Sequence, residues 1–218
     1  MSIAAEAVRS STAERAANWL RGQITEGHYK PGEKLSEAAL QDELQISRNS
    51  LREAFQILTQ ERLLSYEQYK GVSVRNLLTQ DVIDLYRVRT VIECGAITAA
   101  RDDADLDAVA AAVAEGERAE SRADWRGLGS ANIHFHQAIV ALADSPRLTD
   151  MMRGVLAELR LVFHKMTDVR RFHEPYLDRN REILGLLRDG DRATAVQTLR
   201  DYLGIAERQL VEEFTRAE

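Results

Sequence analysis

The chain has 218 residues, with one cysteine, three prolines and twelve glycines, and its 29 Lys and Arg against 35 Asp and Glu leave a net charge of −6. A lone Cys94 excludes an internal disulfide and a cysteine-cluster zinc site, and no apolar run reaches the roughly 18 residues of a membrane span. The start of the chain lacks a basic stretch followed by an apolar one, so a cytoplasmic protein is expected, and abundant Ala, Leu, Arg and Glu make it mostly helical.

Charge divides the chain unevenly. Residues 1–78 hold ten basic and ten acidic residues, and residues 79–218 hold 19 and 25, which supplies the whole deficit. The two parts are expected to be separate domains, 1–77 and 78–218. A neutral first part does not attract nucleic acid by bulk charge, so any DNA binding must come from local placement of its few cations.

In the first part, Ser11 and Thr12 precede Ala13, Ala16, Ala17, Leu20 and Ile24 at helical spacing, and Gly27 and Pro31-Gly32 end that helix. Ser36 caps a short second helix containing Leu40 and Leu44. After Gln45-Ile46, Ser47 caps a third, whose Leu51, Ala54, Phe55 and Leu58 form an i, i+3, i+4, i+7 stripe. Two helices joined this tightly predict a helix-turn-helix. Residues 63–66 and 72–74 read as two strands of a hairpin around Gln68-Tyr69-Lys70-Gly71.

Off the apolar stripe, Arg48, Asn49, Ser50 and Arg52 crowd the first turn of the third helix. In a helix-turn-helix that turn reaches base edges. Arg suits guanine and Asn adenine, while Ser hydroxyls and helix N-terminal amides suit phosphates. Arginine there opposes the helix dipole, which a purely structural role would avoid. Lys70 and Gly71 at the hairpin tip can approach a phosphate. The competing structural account is a three-helix bundle with a solvated charged face.

The stretch Ile24, Gly27, Pro31, Gly32, Leu35, Glu37, then Ile46 to Leu64 and Lys70 to Val74, resembles the winged helix-turn-helix of GntR-type bacterial transcription regulators. The family's usual Thr-Pro after Ser-Arg is Asn49-Ser50 here, a change expected to alter which operator is read rather than whether DNA is bound. The resemblance implies DNA contacts from Ser47, Arg48, Asn49, Ser50, Arg52, Lys70 and Gly71.

Beyond Arg75 the periodicity predicts helices near 79–101, 104–122, 124–143, 147–171, 176–188 and 191–216, punctuated by Asp124, Ser145-Pro146, Pro175 and Gly190-Asp191. Six amphipathic helices without a repeat or long linker read as one bundle. A helical wheel turns Arg89 and Glu93 inward with Val82, Tyr86, Ala96 and Ala100, and Arg87 outward. It also turns Asn132, His136, Asn180 and Tyr202 toward apolar faces. Each alone reads equally as a satisfied core residue. Five polar residues on four helices (Arg89, Asn132, His136, Asn180 and Tyr202) predict an internal site for a small polar ligand.

The segments Asp84 to Glu93, Asn132 to Ile139, Asp144 to Leu148 and Asn180 to Leu203 resemble the ligand-binding FCD domain of the FadR subfamily. Many members bind a divalent metal through an Asp, a His four residues later and two further His, and the metal helps hold a carboxylate effector. The matching positions are Asn132, His136, Asn180 and Tyr202, so His136 alone remains a metal ligand. Of the other histidines, the wheel places His134 and His164 on outer faces and His173 beyond a helix end. No metal cofactor is expected, and Asn132, Asn180 and Tyr202 are expected to contact the effector directly, with Arg89 pairing its carboxylate.

The fold expected is therefore mainly α: a winged helix-turn-helix of three helices and a small hairpin, followed by an all-α effector-binding and dimerisation domain. The function expected is an effector-responsive transcriptional regulator, a repressor or, less often, an activator, bound as a homodimer to a palindromic double-stranded operator. Its effector is a small organic acid and no membrane is involved. The alternative is a constitutive DNA-binding regulator whose altered pocket takes no effector. An enzymatic pairing of His136 with Glu93 or Tyr202 lacks an accompanying nucleophile elbow, phosphate loop or metal set.

Overall fold

The computed structural model describes residues 11–166 and 168–217, which fall into two compact units, one ending at Asn76 and the other beginning at Leu77. The first ten residues of the expected N-terminal domain lie outside the described residues.

The first unit opens with helix α1, Thr12–Thr25. Ser11 is its cap: the Ser11 hydroxyl accepts from the Glu14 amide at 3.0 Å and the Glu14 carboxylate accepts from the Ser11 amide at 2.7 Å, a reciprocal box. Helix α2, Glu37–Leu44, is capped by Ser36 and ends at Gln45 in the left-handed conformation, φ 52°. That residue turns the chain at once into α3, Arg48–Gln60, capped by Ser47, whose hydroxyl accepts from the Ser50 amide at 3.1 Å. Ala13, Ala17, Leu20 and Ile24 of α1 and Leu51, Ala54, Phe55 and Leu58 of α3 are buried, and the two helices pack together. Strands β1, Leu64–Glu67, and β2, Gly71–Val74, pair antiparallel from Leu64↔Val74 to Glu67↔Gly71. The first strand starts one residue later than the sequence pattern suggests, because the Leu63 amide is used to close the end of α3 on the Leu58 carbonyl at 2.9 Å. The segment before α2 adds a short edge to β2, with Leu35 donating to Val72 and Val74 to Glu33, each at 2.9 Å.

The second unit is a bundle of α4 (Thr79–Ala99), α5 (Asp107–Ser121), α6 (Trp125–Ala141), α7 (Pro146–Phe163), α8 (Val169–Arg188) and α9 (Arg192–Ala217). Helix α4 packs on α9 and α6, α5 on α6 and α8, and α8 on α9, around buried Ile97, Phe135, Ile139, Leu156, Leu159, Ile183, Leu199 and Leu203.

One expected boundary is wrong. The sequence reading runs a helix from 147 to 171 and breaks it at Pro175, whereas α7 ends at Phe163 and Pro175 lies inside α8. Asp168 is the start signal that was missed, its carboxylate accepting from the Arg171 amide at 2.9 Å. An interior proline forfeits one helical hydrogen bond at a cost of about 3 kcal/mol. Burial of Phe172, His173, Tyr176 and Leu177 on both sides of Pro175 offsets that cost. Between the two helices, Lys165 donates from Nζ to the Leu77 carbonyl at 2.7 Å and lies over the Phe214 ring at 4.8 Å.

Candidate nucleic-acid interface and buried polar site

The first candidate surface is the N-terminal turn of α3. The Ser47 and Ser50 hydroxyls are 3.0 Å apart and engaged in the cap, so they organise the turn. Arg48, Asn49 and Arg52 are exposed. Both arginines lean toward one carboxylate, Glu37 at the start of α2: Arg48 Nε lies 3.4 Å and Arg52 Nε 3.9 Å from the same oxygen. Their side chains remain 65% and 60% exposed, so Glu37 orients two guanidinium forks without hiding them. Glu37 belongs to the stretch that carries the sequence resemblance but not to the expected DNA contacts, because its place in α2, a helix away from the arginines, gives no local sign that it meets them.

At the hairpin tip, Lys70 is paired with Glu67 at 2.6 Å, which holds the amine up and the carboxyl down in proton affinity through their hydrogen bond and mutual charge. Gly71 sits at φ 87°, a backbone region that favours glycine. A groove of about 390 Å³ lies on the other unit between α4 and α9, lined by Thr90, Cys94, Gly95 and Arg200 among others. One of about 370 Å³ lies between α3 and the hairpin, lined by Arg52, Phe55, Gln56, Tyr66 and Val72 among others.

The second candidate site is a chain of buried polar contacts across four helices. Arg89 Nε on α4 donates to Glu93 at 2.8 Å, and the other Glu93 oxygen is 2.6 Å from Nδ1 of His136 on α6. His136 Nε2 is 3.0 Å from the Tyr202 hydroxyl on α9, which lies 2.8 Å from the Asn132 carbonyl oxygen on α6. Asn180 on α8 donates to that same oxygen at 2.9 Å. All five sequence-selected residues therefore meet in one network, joined by Glu93, which the wheel turned inward but which was left out of the expected effector set.

Electrostatics fixes the proton positions along it. Burial alone would raise the Glu93 carboxyl, but Arg89 and then His136 outweigh it, so Glu93 stands below the ordinary carboxylate value and is ionised. Burial, aided by Arg89 and opposed by Glu93, holds His136 below its ordinary 6.5. The neutral imidazole must then donate from Nδ1 to the carboxylate, leaving Nε2 as an acceptor. Tyr202, raised well above 10 chiefly by burial, is a neutral phenol. Its single proton can serve either His136 Nε2 or Asn132, not both. Two buried atoms at the ends of the chain have no hydrogen-bond partner: Nη2 of Arg89 and the carbonyl oxygen of Asn180.

His134 and His164 lie exposed as expected, but His173 does not fall beyond a helix end. It is inside α8, 2% exposed, edge-on to Phe163 and Phe172 at 4.8 and 4.9 Å, and its Nδ1 has no partner. Burial, followed by the nearby Arg160 charge, lowers it to about 4. Its ring fills the space beside Gly129, where a β-carbon would stand 2.8 Å from Nε2.

Toward a divalent metal, the four positions offer one unprotonated imidazole nitrogen, two amides and a neutral phenol, a set without the anionic or imidazole majority that zinc or nickel requires. No group of three or more His, Cys, Asp or Glu able to hold a metal ion occurs among the described residues. No helix among them is long and apolar enough to cross a membrane.

Comparison with known proteins gives this arrangement a family. The model for bacterial regulatory proteins of the gntR family matches residues 12–74, and the FCD domain model matches residues 84–204. A solved GntR structure from Rhodococcus sp. RHA1 is 42% identical, with a TM-score of 0.89 over 93% of this chain and 99% of that one. The galactonate operon transcriptional repressor of Escherichia coli K12 is 26% identical over 224 residues, 91% of this chain and 96% of its own. The uncharacterized HTH-type transcriptional regulator YdhC of Bacillus subtilis strain 168 is 28% identical over 143 residues, under two thirds of either chain at 63%. A helix-turn-helix with an exposed cationic N-terminal turn, followed by a helical bundle with a buried polar chain, thus belongs to the GntR family of bacterial regulatory proteins with an FCD domain, and is a DNA-binding transcriptional regulator rather than an enzyme.

Proposed function

We propose that this regulator is a cytoplasmic repressor that binds a palindromic operator as a homodimer and releases it when a small organic acid enters the helical unit. Arg48 and Asn49 read base edges in the major groove. The α3 amides, Ser47, Ser50, Arg52, Lys70 and Gly71 hold the backbone. The observation that carries the effector reading is the pair of partnerless buried atoms on Arg89 and Asn180. Buried polar atoms are nearly always satisfied, and a charged donor at one end with a neutral acceptor at the other is completed by an acid that also carries a donor. The acid is held without a metal, because His136, Asn132, Asn180 and Tyr202 make a poor metal set and a serviceable hydrogen-bonding one. The E. coli relative's name ties it to galactonate, in keeping with an acid.

Release requires that the acid bind the DNA-free arrangement of the dimer better than the DNA-bound one. A second reading, a constitutive regulator without an effector, is favoured by one observation: the chain already uses most of its own polar groups, with Asn180 donating to Asn132 and the Tyr202 proton going to Asn132 or to His136.

Native mass spectrometry of untagged protein separates these. A dimer carrying extra organic mass supports the metal-free effector site, and one metal per subunit overturns it. A bare dimer whose operator complex withstands a panel of organic acids establishes the constitutive reading.

A further inference from the structure

The wing carries one side chain whose placement neither packing nor charge accounts for. Tyr69 is 96% exposed, the most exposed large hydrophobic side chain among the described residues. Its backbone is left-handed, φ 67°, a conformation that an aromatic residue adopts only at a cost. The fold gains no burial from it, and glycine would relieve the backbone. A residue that is both strained and solvated at the tip of a hairpin is held there for what it touches outside the fold.

The surroundings identify that partner. The wing stands beside the exposed side of α3: Tyr66 and Val72 of the hairpin and Arg52 and Gln56 of α3 line one groove. A duplex whose major groove receives α3 therefore meets the wing on its flank. The tip brings no net charge to that encounter, since Lys70 has Glu67 at 2.6 Å and must exchange it for any phosphate, and Gln68 and Tyr69 are uncharged. What it presents is a ring. The wall of a DNA groove offers the apolar C–H faces of deoxyribose between its phosphates, and an aromatic face covers these without ionic pairing.

We infer that Tyr69 is a DNA-contacting residue that lays its ring against the deoxyribose wall flanking the site read by α3. This rests on the reading of α3 as the DNA-facing helix, and the test separates the two. The full-length protein first selects a duplex from a fully randomised library. That duplex is then titrated over a range of salt with the wild type, Tyr69→Gly, Tyr69→Phe and Arg48→Ala. Tyr69→Gly is expected to bind about ten-fold more weakly, equal to about 1.4 kcal/mol, with an unchanged salt slope because no phosphate pairing is lost. Its unfolding midpoint rises by a few degrees as the left-handed strain is relieved. Tyr69→Phe keeps the ring and stays within about two-fold of wild type.

Wild-type affinity in Tyr69→Gly beside a loss in Arg48→Ala overturns the Tyr69 contact and leaves the α3 face standing. No loss in either overturns both. Phe as weak as Gly overturns the ring contact, and so does a shallower salt slope in Tyr69→Gly, which would mean that an ionic contact had been removed. A lowered midpoint in Tyr69→Gly assigns Tyr69 to the fold instead.

Discussion

The two units deploy their polar side chains under opposite constraints. On the winged unit, Arg48, Arg52 and Lys70 are 60–67% exposed at the side chain, so their hydration is nearly intact and holding them costs little stability. In the helical unit, Arg89, Glu93, His136 and Asn180 are at most 3% exposed, and each is tolerated because another member satisfies it. An exposed face can hold its cations in loose, solvated pairs until a partner arrives. A buried chain has to pair its groups within the fold, and this one leaves two atoms unpaired, on Arg89 and Asn180. Removing an exposed cation of the first unit should therefore change DNA binding with little change in stability, whereas removing a member of the buried chain should lower stability directly.

The largest test of that contrast is Glu93→Ala. It strands the Arg89 guanidinium and removes the acceptor that orients His136, both in a closed interior. Loss of one partner of a buried pair costs about 3–5 kcal/mol. Denaturant unfolding should show the second unit losing that amount while the transition of the first stays put. A loss below 1 kcal/mol would mean that the network is wet and the contrast overstated.

Next in size is the acid response of His173. Its folded value, about 4, lies below the ordinary 6.5, so the unfolded chain takes up a proton that the native ring refuses. Stability is full above pH 6.5 and falls as the pH drops from 6.5 toward 4, by about 3 kcal/mol over the window. His136 acts in the same direction. His173→Leu, which keeps a side chain against Gly129, Phe163 and Phe172, should flatten the profile across that window relative to wild type. An unchanged slope would assign the acid sensitivity to other groups.

The same contrast explains what was readable in the sequence. The exposed cationic turn lies at the start of a helix whose cap, Ser47, and apolar stripe are both local, so the exposure of Arg48 and Asn49 follows from spacing alone. Arg89, Asn132, His136, Asn180 and Tyr202 were also legible, because a polar residue on an apolar face stands out on a wheel. Their order of connection was not. That Tyr202 bridges His136 to Asn132 depends on how α6 and α9 cross, and no single helix encodes that. The place of His173 is hidden for a different reason: Pro175 is a helix-breaking signal, and only the burial on both sides of it and the Asp168 cap keep the helix running through it. Glu37 escaped because its relation to Arg48 and Arg52 is set by the turn at Gln45, between helices.

On the winged unit the effects should be smaller and confined to DNA. Arg48→Ala is expected to lose about 1–3 kcal/mol of discrimination between a selected duplex and a scrambled one, in line with one good base contact. Stability should change by no more than about 0.5 kcal/mol, because the side chain is solvated. Full discrimination in the variant would remove Arg48 from base readout. Its partner offers a sharper version: Glu37→Gln keeps the shape but releases both guanidinium groups. It should broaden the sequences selected without weakening binding, if orientation rather than charge is what Glu37 supplies.

The smallest expected effect belongs to Lys70. A free cation against a phosphate would contribute one unit to the salt dependence of binding, but Lys70 already has Glu67 at 2.6 Å. To engage DNA it must exchange one exposed partner for another, and the carboxylate it leaves behind then faces the phosphates. Lys70→Ala should therefore weaken all duplexes alike and flatten the salt slope by less than the full unit of an unpaired contact. The double variant Glu67→Gln with Lys70→Ala should recover part of the loss, since it also removes the repelling carboxylate. Titration of both variants over the same salt range measures the difference. A full unit lost in Lys70→Ala, with no recovery in the double variant, would mean that Glu67 lets go of the lysine entirely on DNA and that even this exposed pair is only a resting place for the charge.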